Sequence, residues 1–141
     1  MKTIAIIPAR GGSKRIPRKN IRLFSGLPII AWSIKTAISS QCFDKIIVST
    51  DDKEISEIAL SYGAEIPFIR PKSLSDDHTK TSDVISHALQ FEESEGNHYE
   101  YVCCIYPTAP FLKEDSLKTG LKMIKKGIYD YVFSATSFAF P

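Results

Sequence analysis

Runs of apolar residues alternate with amphipathic stretches along this chain, and the two patterns predict strands and helices in turn. The apolar runs are nearly continuous, as in strands that helices cover on both faces of a sheet. Pro67 lies in the third run, and because proline cannot donate to a sheet ladder, we expect that strand at an edge. The predicted strands are Thr3–Pro8, Lys45–Thr50, Glu65–Ile69, Tyr101–Tyr106 and Tyr131–Ala135.

Apolar residues at helical spacing fill the segments between these strands. At the start of the second helix, Asp51 and Glu54 have the spacing of a capping box, and Gly63 is placed to end that helix. The predicted helices are Pro28–Ser40, Asp52–Tyr62, Ser82–Glu93 and Glu114–Lys126.

The alternation of strand and helix predicts an α/β fold in three layers, with a mostly parallel, Rossmann-like sheet between two layers of helices. Ligands of such sheets bind beyond the C-terminal ends of the strands, which directs attention to the loops there. The sequence of 141 residues ends soon after its fifth predicted strand. We therefore expect residues 1–141 to be the N-terminal part of a single domain, truncated at its C-terminus.

Positive charge is concentrated near the N-terminus. Residues 1–22 hold seven lysines and arginines and no acidic residue, whereas residues 23–141 hold eleven basic and sixteen acidic residues. Proteins that bind nucleic acids usually spread positive charge over a broad face, so this focused charge favours a small polyanion instead. We expect no nucleic-acid partner.

Membrane and secreted proteins are also disfavoured. No apolar run approaches the roughly 20 residues of a membrane span, and the first apolar stretch is too short for a signal peptide. Cys42, Cys103 and Cys104 fit reduced thiols better than a disulfide framework or a zinc site. We expect a cytoplasmic protein without membrane contact.

A basic, glycine-containing loop follows the first strand, with Ala-Arg-Gly-Gly-Ser-Lys at residues 9–14 and Pro-Arg-Lys-Asn at residues 17–20. Glycines let backbone N–H groups approach an anion that lysines and arginines neutralise. The spacing is neither that of a Walker A motif nor that of a dinucleotide fingerprint. Lys14 and Lys19 can reach two parts of a triphosphate, and Asn20 offers a donor and an acceptor to a sugar or base edge.

These motifs resemble those of the cytidylyltransferases that activate nine-carbon acidic sugars, the CMP-sialic acid synthetase family and its relatives. The likeness rests on IIPARGGSKRIPRKNI, then IIVSTDD, then Arg-Pro at 70–71 and Tyr-Pro-Thr-Ala-Pro at 106–110, in order along the chain. Tyr106 and the segment Phe133–Phe138 are most similar to the branch that acts on pseudaminic acid.

The resemblance implies a nucleotide-diphospho-sugar transferase type of fold and a reaction of CTP with the sugar to give CMP-sugar and pyrophosphate. The activated sugar would serve glycosylation of surface glycans or flagellin. The resemblance also implies Mg²⁺ as cofactor, with its ligands beyond residue 141, and a homodimer when the protein is complete. The 141-residue chain alone is expected to be inactive.

The matched positions give the predicted site. Arg10 and Lys14 would be catalytic, with Lys14 stabilising charge on the reacting phosphate and on the leaving pyrophosphate. No metal ligand is predicted within the chain. The other predicted nucleotide-binding residues are Ala9, Gly11, Gly12, Ser13, Lys19, Asn20, Arg70, Thr81, Tyr106 and Pro107.

Several polar residues near these positions also have simpler explanations. Thr81 is an equally good N-cap for the third helix. Asp76 and Asp77 are interpreted as turn and cap residues, and Arg15 and Arg18 as surface charge that attracts anions.

Two kinds of alternative stay open. Within the class, the sugar is sialic acid, legionaminic acid or, less in keeping with the long first motif, 3-deoxy-manno-octulosonate. Outside it, the chain is a catalytically silent nucleotide-binding domain, which would retain CTP without turnover.

Overall fold

The computed structural model describes residues 2–137 and shows strands and helices close to the predicted ones. The strands are β1 (Thr3–Pro8), β2 (Leu23–Phe24), β3 (Leu27–Pro28), β4 (Lys45–Ser49) and β5 (Tyr101–Cys104). The α-helices are α1 (Ile29–Ser40), α2 (Lys53–Ser61), α3 (Thr81–Ser94) and α4 (Glu114–Ile124), and short 3-10 turns lie at Lys19–Ile21 and Lys72–Leu74.

The main sheet within residues 2–137 is parallel and has the order β4-β1-β5. Side chains of the central strand β1 alternate between two cores: Ala5 and Ile7 pack with α1 and α2, whereas Ile4 and Ile6 pack with α3. All four side chains are fully buried, as the continuous apolar run predicts. The predicted three-layer α/β architecture is confirmed.

The start of α2 corrects one prediction. The N-cap is Asp52, whose carboxylate accepts the N–H of Ile55 at 3.0 Å. Asp51 therefore does not cap the helix, and its carboxylate accepts the N–H of Gly11 instead, at 2.9 Å. Spacing alone does not distinguish two adjacent aspartates, since either can cap in isolation.

A small hairpin between the basic loop and α1 was not predicted. β2 and β3 pair antiparallel across Ser25 and Gly26, whose φ angles of 47° and 83° are those of a type I′ turn. Strands of two residues are too short to show an alternating pattern, so the sequence carried little signal for them.

The predicted strand Glu65–Ile69 is wrong. Glu65 forms one isolated bridge to Ile47, and the chain then leaves the sheet. Pro67 has no N–H to extend that ladder. Phe68 packs instead against the α3 core.

The predicted strand Tyr131–Ala135 is also wrong. Residues 131–137 have neither strand nor helix backbone, and the side chains of Tyr131 and Phe133 are 88% and 84% exposed. Strand propensity forms no ladder without a neighbouring backbone to pair with, and none lies alongside among residues 2–137. Phe138, the last residue of the segment used above as a branch marker, lies outside the described residues.

Candidate active site

A cleft of about 260 Å³ opens beyond the C-terminal end of β1, where the parallel sheet predicts a ligand. The loops after β1 and β5 contribute to it, together with the segment between α2 and α3 and the start of α3. Its lining residues are Pro8, Arg10, Ser13, Lys19, Asn20, Arg70, Asp76, Asp77, Thr79, Thr81, Val84, Tyr106, Pro107 and Thr108.

The basic loop leaves β1 as a continuation of the sheet. The N–H of Ala9 donates to Ser49 O at 2.9 Å, and the Ala9 side chain is fully buried. The next contact, from Gly11 N–H to Asp51, fixes the loop beside the end of β4. A Cβ at Gly11 would lie 2.7 Å from Asp52 Oδ2, so the close approach requires glycine.

The far end of the loop is held by Arg18. Its guanidinium donates to both carboxylate oxygens of Asp52, at 2.6 and 2.9 Å, and to Glu54 at 2.5 Å. The Asp52 carboxylate raises the pKa of Arg18, and Arg18 in turn holds the pKa of Asp52 below its usual range. Arg18, interpreted from the sequence as an anion-attracting surface charge, is thus paired within the protein, with 40% of its side chain exposed.

Arg10 and Lys14 converge on one carboxylate, that of Asp77. Arg10 Nη1 lies 2.6 Å from Asp77 Oδ1, and Lys14 Nζ is ion-paired with Oδ2. Lys14, followed by Arg10, keeps the pKa of Asp77 below its usual range. Asp77 is thus an ion-pair partner of both predicted catalytic residues, a contact that its interpretation as a turn or cap residue did not include.

Asp76 does make the predicted turn, because its carboxylate accepts the N–H groups of His78 and Thr79 at 2.9 and 2.7 Å. The turn presents Asp77 to the basic loop. Asp77 itself sits on an exposed segment outside the helices and strands. The Asp77 carboxylate, which pairs with Arg10 and Lys14, is therefore not supported by a helix or strand.

Asn20 forms part of the cleft wall and is almost entirely buried, at 5% exposure. Its Nδ2 donates to Arg10 O at 2.9 Å, which ties the beginning and end of the loop together. In the described part of the chain, Oδ1 of Asn20 has no hydrogen-bond partner. A buried acceptor without a partner is costly, so a ligand donor in the cleft would satisfy it.

Arg70 is 4% exposed and also lines the cleft. Its Nη2 donates to Ser49 O at 2.7 Å and its Nη1 to Leu74 O at 3.2 Å. Burial lowers the pKa of its guanidinium. Within residues 2–137 its Nε lacks a partner, so that N–H is available for the predicted contact with a nucleotide, while Nη1 and Nη2 hold the cleft wall.

The last predicted residues form the opposite wall. Lys80 occupies the N-cap position of α3 and Thr81 is the first helical residue, so the interpretation of Thr81 as the cap is wrong. Tyr106 is 58% exposed at the rim, and its carbonyl accepts the hydroxyl of Ser33 at 2.8 Å. This hydrogen bond fixes the segment after β5 against α1.

The structure brings most of the predicted site residues together in the cleft lining: Arg10, Ser13, Lys19, Asn20, Arg70, Thr81, Tyr106 and Pro107. Gly11, Gly12 and Lys14 lie on the same loop outside the lining, and Ala9 lies in the core. Sequence reasoning gave no site role to Asp77 or Thr79. The available signal was an acidic pair in the polar segment before α3, in a chain that also carries a strongly basic loop.

Carboxylates near the basic loop do not form a metal site. Among residues 2–137 no group of three histidine, cysteine or acidic residues could hold an ion. Asp52 and Asp77 are ion-paired with basic side chains, and Asp51 accepts a hydrogen bond from the backbone N–H of Gly11. The residues described therefore do not fit Mg²⁺.

No helix in the described part of the chain is both long enough and apolar enough to cross a membrane.

Arg10 and Lys14 can bind a polyanion in place of Asp77. The adjacent cleft, with the buried acceptor of Asn20, can hold a polar ring attached to that polyanion. A profile of the family described as Cytidylyltransferase matches residues 4–139. The chain belongs to the cytidylyltransferase family.

Relatives within the cytidylyltransferase family are similar over nearly the whole chain. A Campylobacter jejuni protein named pseudaminic acid cytidylyltransferase is 48% identical over all 141 residues, which span 61% of its length. A Legionella pneumophila protein named CMP-N,N'-diacetyllegionaminic acid synthase is 40% identical over 89% of this chain and 54% of its own length.

A solved structure shows the same fold. It is titled as a CMP:2-keto-3-deoxy-manno-octonic acid synthetase complexed with CTP and matches with a TM-score of 0.74 at 21% identity. The match covers 89% of this chain and 48% of the other. The predicted nucleotidyltransferase type of fold is thus confirmed.

Proposed function

We propose that the complete protein is a cytidylyltransferase that transfers CMP from CTP to pseudaminic acid and releases pyrophosphate. The observation that carries this proposal is the convergence of Arg10 and Lys14 on one carboxylate at the mouth of the cleft. Two cations that share an anion in the ligand-free protein form a ready receptor for a triphosphate. The identity of 48% to the Campylobacter jejuni protein supports the choice of sugar.

In this proposal the triphosphate takes the place of the Asp77 carboxylate. The sugar hydroxyl attacks the α-phosphorus and gives up its proton to solvent, a new P–O bond forms, and the bond to the β-phosphate oxygen breaks as pyrophosphate leaves. Lys14 and Arg10 stabilise the negative charge that develops on the phosphates. Such chemistry depends on positioning and on preorganised charge.

The nucleoside would occupy the cleft beside Asn20. Its free Oδ1 acceptor suits an amino or hydroxyl donor of the ribose or cytosine. Thr81 and Tyr106 face the same cleft from the other wall. Arg70 holds Ser49 and Leu74 in place and offers Nε to the ligand.

Three further proposals concern the complete protein. Residues 1–141 are the N-terminal part of one nucleotidyltransferase domain, in keeping with the 61% of the relative's length that they span. Mg²⁺ assists the reaction from ligands elsewhere than the described residues. The protein is a cytoplasmic homodimer: its three cysteines are free, and Phe111 and Leu23 expose apolar surface that suits a partner subunit.

The test is pyrophosphate release by the complete gene product with CTP, Mg²⁺ and a panel of nine-carbon acidic sugars. Turnover of pseudaminic acid alone is the expected result. Turnover of legionaminic or sialic acid instead would keep the reaction and reject Tyr106 as a marker of the branch. CTP binding without release from any sugar would favour the silent nucleotide-binding domain.

A further inference from the structure

The turn formed by Thr50, Asp51 and Asp52 after β4 holds the basic loop at both ends. Asp51 accepts the N–H of Gly11 near the beginning of the loop, and Asp52 pairs with Arg18 near its end. Neither aspartate is among the residues that line the cleft. Their partners are therefore groups of the loop, not the contents of the cleft.

The turn itself is rigidly built. Thr50 is fully buried, and its hydroxyl accepts the N–H of Asp52 at 3.1 Å. Asp52 caps α2 through Ile55, and its carbonyl accepts the hydroxyl of Ser56 at 2.9 Å. The Asp52 carboxylate is thus fixed to the start of α2, and Asp51 lies between the two hydrogen-bonded residues of the turn.

The loop, in contrast, adopts an unfavourable backbone at the point where it is held. Arg18 has φ 54° and ψ 36°, in the left-handed region that residues with a Cβ rarely occupy. A conformation of this kind persists where surrounding contacts determine it. The two hydrogen bonds to Asp52 and the one to Glu54 are those contacts.

We propose that Arg18 is a positioning residue, which with Asp51 and Asp52 forms a clasp that fixes the loop in the curve where Arg10 and Lys14 converge. Arg18 does not touch the nucleotide in this proposal. It acts through the carboxylates of the turn, and the gain is a triphosphate receptor already shaped before the ligand arrives. The inference rests on the proposed function for the identity of the ligand.

The clasp and a direct electrostatic role predict opposite signs for one variant. If Arg18 attracts the triphosphate itself, Asp52→Asn frees its charge and strengthens CTP binding. If Arg18 positions the loop through Asp52, both Arg18→Gln and Asp52→Asn weaken binding. Asparagine caps helices about as well as aspartate, so Asp52→Asn leaves the start of α2 intact.

The experiment measures CTP dissociation constants by calorimetry for the complete gene product and its variants at one salt concentration. Arg18→Gln and Asp52→Asn should each weaken binding about tenfold, and the double variant no further, since groups in direct contact are coupled. Arg18→Lys should not restore affinity, because an ammonium lacks the two-pronged geometry. Arg15→Gln, which removes the same charge from an exposed position on the same loop, should change binding far less.

A second readout needs no nucleotide. Amide hydrogen exchange at Gly11 and its neighbours should become faster in Arg18→Gln and Asp52→Asn, with thermal melting confirming that both variants are folded. Arg15→Gln should leave these amides unchanged. Unchanged exchange in the two clasp variants, or tighter CTP binding by Asp52→Asn, overturns the clasp. Failure of the parent protein to bind CTP refutes the proposed function instead, while the exchange data still decide on the clasp.

Discussion

The ion pairs of the basic loop involve two carboxylates, Asp52 and Asp77, which differ in the structure that supports them. Asp52 is fixed by the start of α2, and its side chain is 21% exposed in its pair with Arg18. Asp77 lies on an irregular segment, its side chain is 30% exposed, and its partner Lys14 is 82% exposed against 40% for Arg18. A pair with one carboxylate fixed at a helix start and further hydrogen bonds to Arg18 is held in place, whereas an exposed pair is weak and gives way to a stronger anion. The same chemistry therefore builds a fixed support on one side and a replaceable partner on the other.

The largest expected effect is on the reaction rate, at the Asp77 side of the loop, where Arg10 and Lys14 are proposed to bind the triphosphate. Lys14→Ala in the complete protein should reduce the rate of pyrophosphate release by about a hundredfold or more, the usual cost of removing one preorganised charge from a reacting centre. Steady-state kinetics with CTP and pseudaminic acid measure it. Arg15→Ala is the matched control, and an equal loss in that variant would contradict a specific role for Lys14.

The next largest effect tests the fixed side through the close approach of Gly11 to Asp52. Gly11→Ala places a Cβ 2.7 Å from Asp52 Oδ2, an oxygen of the carboxylate that Arg18 and Ile55 hold in position through Oδ2 and Oδ1 respectively. We expect a loss of about 1–3 kcal/mol in the free energy of unfolding, typical of overpacking. Gly12→Ala is the control, because a Cβ there meets nothing within 4 Å. Similar melting temperatures for both variants would contradict this prediction, because they would mean that the loop shifts to accommodate the Cβ.

A smaller effect concerns pH. The pKa of Asp52 is lowered in the folded protein by Arg18, so its contribution to stability is present at neutral pH and declines in acid as the carboxylate takes up its proton. The melting difference between the parent and Asp52→Asn should be constant from neutral pH downward and shrink below about pH 4, the ordinary range of an aspartate. A difference that grows in acid would contradict the ion pair.

The smallest effect is a gain. Asp77→Asn removes the carboxylate that competes with the triphosphate for Arg10 and Lys14, and CTP binding should tighten about threefold, as expected for an exposed pair. Calorimetric titration at low and high salt measures it, and the gain should diminish as salt screens the charges. Weaker CTP binding would show that Asp77 positions Arg10 and Lys14. Asp77 would then support the loop as Asp52 does.

The framework of the fold was predictable because its signal is local. β1 is the predicted Thr3–Pro8, and the predicted starts of α1 and α4 are within one residue, since continuous apolar runs and helical spacing are written in neighbouring residues. The strand predicted at Tyr131–Ala135 failed because a strand also needs a partner backbone. Local propensity says nothing about such a partner.

The residues of the cleft were largely predictable from motifs, while their partners were not. Arg18 and Asp52 are 34 residues apart in the sequence, and Arg10 and Asp77 are 67 apart. No spacing rule links such pairs, because tertiary packing alone brings them together. Asp51 and Asp52 were indistinguishable as caps for the same reason, because Gly11, whose N–H binds Asp51, lies 40 residues earlier in the sequence.

The central position of β1 determines the order in which the cleft is completed during synthesis. β1 pairs with β4 through residues 45–49 and with β5 only once residues 101–104 exist. Contacts between distant parts of a chain form late, because closing a long loop has an entropic cost. A nascent chain on the ribosome can therefore assemble the basic loop and the turn at Thr50 well before the wall at Tyr106. The nascent chain can therefore attract anions through the basic loop before the cleft that would enclose them is complete.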